Sequence, residues 1–286
     1  MLTDTVSPMA RASGRGSHRF PVDSGEAEIR WEGARATLLL NGVESSCLDA
    51  DHPEVLEFEY MQHLTCALDT ARPAPAPVRA LHIGAAACAV ATAWARTRPG
   101  SRQSAVEIDA ALAAVVRDHF PIPRSPEVRI RVGEGREVLD STRPSSLDVI
   151  VRDAFADGRV PDQLRTVEAA SSARRALRPA GLYLLNCAHG GGADARVDLA
   201  AVLEEFDIVA SIQDPKVGRS GRRGNVVVVA QAPADGADPI DMDDLDRALR
   251  RLPLPARATR GADLIAWIAG ARPLTDESIG RGPAGD

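Results

Sequence analysis

The chain has 286 residues, enough for one large α/β domain or a main domain with a small appendage. Hydrophobic residues make up 44% and aromatics only 3%, so a sizeable core has to be built from Ala, Val, Leu and Ile. A formal net charge of -6, with lysine present once at Lys216, argues against a general nucleic-acid binder; the pairs Arg174-Arg175, Arg222-Arg223 and Arg250-Arg251 read as solvated faces.

Residues 1–18 are polar, contain Ser and Arg, and lack an apolar stretch, so a disordered arm is expected rather than a signal peptide. From 19 to 70 a small N-terminal unit is expected. Glu26 to Glu32 alternates, with Ala27, Ile29 and Trp31 on one face, and Ala36 to Leu40 is apolar. Asn41-Gly42 is a strong hairpin turn, and Val43 to Leu48 can pair back, giving two or three antiparallel strands. Asp51-His52-Pro53 breaks the chain, and Glu54 to Asp69 has helical spacing. A Pro-rich stretch, 71–77, is a stiff linker.

From 78 to 270 the segments alternate. Strands are expected at 79–83, 104–108, 128–132, 147–152, 181–186, 206–212 and 225–230. Helices are expected at 87–98, 109–118, 134–140, 162–177, 194–204, 241–251 and 261–269, and 271–286 reads as a flexible tail. Alternation of this kind predicts an α/β fold, with a mainly parallel sheet and helices on both faces. No apolar run approaches the ~20 residues that span a bilayer, so no membrane partner is expected and the protein reads as cytoplasmic. The cysteines Cys47, Cys66, Cys88 and Cys187 show neither C-x-x-C spacing nor a companion His pattern; no metal site is expected.

Ligands in such sheets bind beyond the C-terminal strand ends. Val78 to Ile83 ends in Gly84 and very small side chains, a helical segment follows, and the next apolar run ends in the acid Glu107, 23 residues after Gly84. That is the layout of a βαβ nucleoside-binding unit, in which small residues admit the ligand and the acid accepts ribose hydroxyls. Glu134 follows the third strand; it can accept from an adenine amino group or cap the next helix. Asp153 ends the apolar strand Leu147 to Arg152, facing the crevice; it can hold an amine, take its proton, or cap a turn. Gly190-Gly-Gly192 is a loop signal, too short for a phosphate cradle.

Between about Ala36 and Ala232 the chain resembles the spermidine synthase (polyamine aminopropyltransferase) family, in its divergent actinobacterial-type branch. The likeness runs through Leu38-Leu-Leu-Asn-Gly-Val43, Leu56-Glu-Phe-Glu-Tyr60, Leu81-His-Ile-Gly84 and Val106-Glu-Ile-Asp109. It continues in Val132-Gly-Glu-Gly-Arg-Glu-Val-Leu139, Asp148-Val-Ile-Val-Arg-Asp153, Leu177-Arg-Pro-Ala-Gly-Leu-Tyr-Leu-Leu-Asn186 and Gly221-Arg-Arg-Gly-Asn-Val226. The resemblance implies a Rossmann-like, class I methyltransferase-type fold with S-adenosylmethionine or its decarboxylated form as donor, and no metal. It implies that His82, Gly84, Ala85, Ala86, Glu107, Ile108, Glu134, Gly135, Asp153 and Ala154 surround the donor. Asp153 matches the catalytic acid and Tyr60 a tyrosine of the amine site, with Ser45, Gln62 and Asp157 also near the acceptor. A homodimer, joined through the N-terminal β unit, is implied as well.

The chain departs from the family in the loop, where Ala85-Ala86 replace a glycine cluster, and in the acceptor site. Ser45 stands for a glutamine, Gln62 for an acid, and Ala156 for a second acid, with Asp157 one place late. A polyamine is a multiply charged cation and its pocket needs carboxylates. Three readings follow: aminopropyl transfer to a small-molecule amine; methyl or aminocarboxypropyl transfer from S-adenosylmethionine to another nucleophile; or a non-catalytic binding or scaffold protein.

Overall fold

The computed structural model describes residues 16–84, 86–217, 222–234 and 239–281. Position 85 and the expected arm up to residue 15 lie outside that set, as does the tail beyond 281.

The N-terminal unit is a four-stranded antiparallel sheet in the order β1-β2-β3-β4: β1 (Gly16–Val22), β2 (Gly25–Glu32), β3 (Arg35–Leu40) and β4 (Val43–Asp49). Asn41 and Gly42 both have positive φ, the geometry for which Asn-Gly is selected in a two-residue hairpin. Ala27, Ile29 and Trp31 are buried as the alternation requires. One strand more is present than expected, because Gly16 to His18, assigned to the arm, begin β1. An edge strand with one neighbour can stay polar, so its sequence carries little apolar signal. Phe20 and Val22 of β1 pack with Ala27, Ile29, Leu112, Val116 and Phe120.

A two-way clasp fixes this sheet. Asp109 accepts from Asp23 N (3.1 Å), Ser24 N (2.8 Å), Ser24 Oγ (2.7 Å) and Leu112 N (2.7 Å), the last as the N-cap of α3 (Ala110–His119). In return Asp23 Oδ2 accepts from Ala110 N (2.9 Å) and Ala111 N (3.3 Å). Burial pushes the Asp109 carboxyl up, but these donors outweigh it and hold it below the usual range.

The chain then forms α1 (Glu59–Ala71), five residues later than the sequence reading began it, and enters an eight-stranded sheet. Its strands are β5 (Arg79–Ile83), β6 (Arg102–Glu107), β7 (Val128–Val132), β8 (Leu147–Arg152), β9 (Leu177–His189), β10 (Ile208–Gln213), β11 (Gly224–Gln231) and β12 (Arg257–Arg260). The order is β12-β10-β11-β9-β8-β5-β6-β7; β7 through β9 are parallel neighbours, and β11 and β12 run antiparallel to theirs. The chain leaves β5 in one direction and returns at β8 on its other side, which makes the β5/β8 gap the topological switch point. β12 was not anticipated: Arg-Ala-Thr-Arg, on the sheet edge, has no apolar pattern.

Two cores line the sheet. One side holds Ile83, Ile150, Leu185 and Val228 under α4 (Gly135–Ser141), α5 (Val167–Ala176), α6 (Ala195–Leu203) and α8 (Gly261–Ile268). The other holds Val149, Val151, Leu184 and Val227 under α1, α2 (Ala89–Thr97) and α7 (Met242–Arg250). The segment expected as a flexible tail is tied down as far as Arg281: Asp276 accepts from Arg136 Nη1 (2.8 Å), Arg136 Nη2 (2.6 Å) and Thr166 Oγ1 (2.8 Å), and Arg281 pairs with Asp140 at 3.6 Å. Among the described residues no helix is long and apolar enough to cross a membrane.

Candidate active site

The switch point is held open and shaped by Gly84. It has φ +87°, and a Cβ there would lie 2.2 Å from Asp153 O, so only glycine lets the end of β5 lie against the end of β8. Asp153 N donates to Ile83 O at 2.8 Å and Gly84 N to Val106 O at 3.0 Å, which extends the sheet by one residue on both sides. In the loop that follows, Ala86 (φ +40°) and Cys88 (φ +54°) sit in the left-handed region, costing roughly 1–2 kcal/mol each for a residue with a Cβ. Such strain is found where a binding loop is over-determined by its surroundings.

Glu107 ends β6 beside this loop. Its Oε2 accepts from Ala86 N at 3.3 Å and its Oε1 from Asp109 N at 3.1 Å, so backbone donors orient the carboxylate at the crevice. Ile108 next to it is 68% exposed, and Val132, the strand partner of Glu107, is 53% exposed. Both are apolar side chains open to solvent near adjacent strand ends. Glu134 is the N-cap of α4, accepting from Arg136 N (2.9 Å) and Glu137 N (2.8 Å). Gly135 is a close-approach glycine: its Cβ would fall 2.4 Å from Ile83 Cγ2.

Asp153 lies one residue beyond β8. Oδ2 accepts from Tyr60 Oη at 2.9 Å and Oδ1 from Asn186 Nδ2 at 2.8 Å. The carboxyl is half-buried, and desolvation pushes its pKa up against the opposing pull of Asn186, Tyr60 and the Arg152 charge. Burial and the Asp153 charge together raise the Tyr60 phenol well above its usual value, so it stays a proton donor. Asn186 was not foreseen. The register sets Leu185 against Arg152, so Asn186 stands across from Asp153. The sequence signal was one amide inside the buried run Gly181 to Cys187. Its Oδ1 is buried with no hydrogen-bond partner.

The remaining residues named from sequence are placed as follows. Ala154 packs against the core behind Gly84, its Cα 2.8 Å from where a Gly84 Cβ would be. His82 is buried between Gln103 Oε1 (3.0 Å) and the Trp94 ring, and desolvation lowers its pKa to about 4. Gln62 donates to Leu56 O at 2.7 Å, a local lock at the start of α1. Ser45 sits at a bulge in β4, with its Oγ on Val43 O at 3.0 Å. Asp157 is exposed at the tip of the tight turn 156–159, with φ +51°. Among the described residues, none of these last three bonds to Asp153.

A probable spermidine synthase from Corynebacterium glutamicum is 31% identical, with a TM-score of 0.83, over 95% of this chain and 98% of that one. The chain belongs to the spermidine synthase family. A spermidine synthase solved in complex with the transition-state analogue AdoDATO shares the fold at 16% identity, TM-score 0.58, over 92% of this chain and 87% of that one. Among curated proteins, a polyamine aminopropyltransferase from Vibrio vulnificus is 28% identical over 114 residues, which is 39% of this chain and 38% of that relative's length. No family model matches the chain. Within the spermidine synthase fold, the Tyr60–Asp153–Asn186 group occupies the switch point and Glu107 the strand end beside it.

Proposed function

We propose that the protein transfers an aminopropyl group from decarboxylated S-adenosylmethionine to an amine. The observation that carries this reading is Asp153, with each carboxylate oxygen held by one donor, Tyr60 Oη or Asn186 Nδ2, at the switch point. A neutral amine attacks the carbon bound to the sulfonium. The C–N bond forms, the C–S bond breaks with its electron pair going to sulfur, and a neutral thioether leaves. The amine's extra proton passes to Asp153. Burial raises the basicity of this carboxylate, which favours the transfer, and the two fixed donors aim it. Glu107 would accept from the donor's ribose, and the exposed apolar side chain of Ile108 beside it would meet the adenine. The AdoDATO complex of a protein with the same fold supports a donor of this class.

One observation favours a second reading, methyl or aminocarboxypropyl transfer from S-adenosylmethionine. Gln62 is committed to Leu56 O, Ala156 has no charge, and Asp157 is at an exposed turn tip, so Asp153 has little acidic company for a polycation. Titration calorimetry with both donors, then a mass-spectrometric product screen with putrescine, spermidine, cadaverine and agmatine, separates the readings. Aminopropylated product is the expected result. Binding of S-adenosylmethionine with no reaction of its decarboxylated form would overturn the first reading in favour of the second.

A further inference from the structure

Asp153 and Asn186 have a shared support on the other side of the sheet. Ile150, Leu185 and Cys187 pack on the α6 side, and alternation along β8 turns Arg152 to that same side, away from Tyr60 and the α1 core. Arg152 is fully buried there, a costly place for a guanidinium. Its donors go to four acceptors. Nη1 donates to Asp198 Oδ1 of α6 at 2.5 Å and to Leu164 O at 3.1 Å. Nη2 donates to Cys187 Sγ at 2.9 Å and to Asn186 O at 3.2 Å.

The bond to Asn186 O bears on the switch point. The β8–β9 ladder ends with Arg152 opposite Leu185, so Asp153 and Asn186 lie one step beyond the last strand pair. There the Arg152 side chain continues what the ladder leaves off. It holds the Asn186 carbonyl on one side of the sheet, while Asn186 Nδ2 reaches Asp153 Oδ1 at 2.8 Å on the other. A planar fork with several fixed donors suits this task. The fork is itself anchored, because Arg165 grips Asp198 Oδ2 through Nη2 (3.0 Å) and Nε (3.1 Å) and also meets exposed Asp162 at 3.1 Å. Asp198 therefore keeps a cationic partner when Arg152 is replaced. Cys187 and Tyr183, the other titratable groups around the guanidinium, stay neutral because burial pushes both up. A buried ion pair adds little net stability over apolar packing, so stability alone does not account for this cluster.

We propose that Arg152 is a positioning residue: by holding Asn186 O at the end of the β8–β9 ladder, it keeps Asn186 Nδ2 on the Asp153 carboxylate. This role rests on the reading of Asp153 as the group that takes the amine's proton. Burial raises the Asp153 carboxyl, and Asn186, Tyr60 and the Arg152 charge all pull against it. Loss of Arg152 therefore removes one of these pulls directly and loosens a second.

NMR on the full-length protein tests this without any substrate, with asparagine side-chain amides labelled and Asp153 followed through its carboxyl carbon. In the parent, the Asn186 amide signal should step as Asp153 titrates, and the size of that step reports the contact. Arg152→Met removes the charge and all four bonds. Arg152→Lys keeps the charge and a pair with Asp198, but one ammonium cannot also span to Asn186 O. The step should vanish in Arg152→Met and shrink in Arg152→Lys. The Asp153 midpoint should rise by about one pH unit in Arg152→Met, a tenfold change in proton affinity, and by less in Arg152→Lys. Turnover should fall by up to about tenfold, the loss expected for the Asn186 bond itself, with KM for the donor little changed. If Arg152→Met does not fold, Arg152→Lys decides the matter. A full-sized step and a parental Asp153 midpoint in every variant that folds, whatever the melting temperature, would reduce Arg152 to a structural ion pair and overturn the proposal. So would the absence of any step in the parent. Failure of the parent to form a transfer product would instead sink the proton-acceptor reading of Asp153, and the amide step would still decide whether Arg152 positions Asn186.

Discussion

The ends of β5, β6 and β7 face the same crevice as the ends of β8 and β9, yet the two sides are built differently. On the proposed donor side the parts come from one continuous βαβ stretch, Gly84 to Glu107, and the backbone makes most of the contacts: Gly84 against Asp153, Ala86 N on Glu107. On the proposed acceptor side three side chains converge from distant positions. Tyr60 arrives from a helix 93 residues before Asp153, and Asn186 from a strand 33 residues after it. A local site is fixed by strand spacing and turn geometry. A convergent one is fixed by register and helix packing, and changes in any of three elements alter it.

The largest test of the contrast is Asp153→Asn. Turnover should fall by ~10²–10⁴-fold, the loss of a general base, with donor affinity little changed. Stability should move the other way. The folded pKa of Asp153 is raised, so its contribution to stability is fully present below the unfolded value and is lost as pH rises through the folded one. An amide cannot ionise, so the variant should melt at higher temperature than the parent at neutral pH, with the gap closing in acid. A variant that melts lower at neutral pH would mean that the two donors matter more than desolvation.

Glu107→Ala probes the donor side. Each hydroxyl bond to a carboxylate contributes roughly 1.5–3 kcal/mol, so donor affinity should fall by about 10- to 100-fold or more while the fold survives. Unchanged affinity by calorimetry would remove the ribose from that strand end.

Asn186→Ala separates positioning from proton transfer. The amide's hydrogen bond lowers the Asp153 pKa, so its loss should shift the acid limb of the kcat/KM profile to higher pH, with a rate loss of about tenfold. A lower rate with an unmoved pH profile would give Asn186 a purely structural role. The smallest effect is expected at Ala86→Gly, which relieves a positive φ. Stability should rise by about 0.5–1 kcal/mol, read as a modest increase in melting temperature. A fall would show that the loop gains more from the methyl group than it loses in strain.

The proposed donor side was legible in the sequence because it is local: a short apolar run, a glycine, a helix and an acid follow in order. The parallel sheet was legible because short strand-like stretches alternate with segments of helical spacing along the chain. Asp153 was visible as an acid at a strand end, but Asn186 was not, because only the β8–β9 register brings it across from Asp153. The partners of His82, Gln103 and the Trp94 ring, were equally invisible, because only the packing of β6 and α2 brings them to it. The strands β1 and β12 escaped notice because β1 opens on the polar Gly16-Ser-His-Arg19 and β12 is only Arg-Ala-Thr-Arg.

Under the proposed function, the clasp between Asp109 and Asp23 would give the N-terminal sheet a stake in donor affinity. Asp109 caps α3, grips the β1–β2 turn, and through its own N–H holds Glu107. Release of the turn and rotation of Glu107 therefore draw on the same peptide segment. Linkage makes such traffic reciprocal: by whatever factor a seated donor tightens the docking of the small sheet, a docked sheet tightens the grip on the donor.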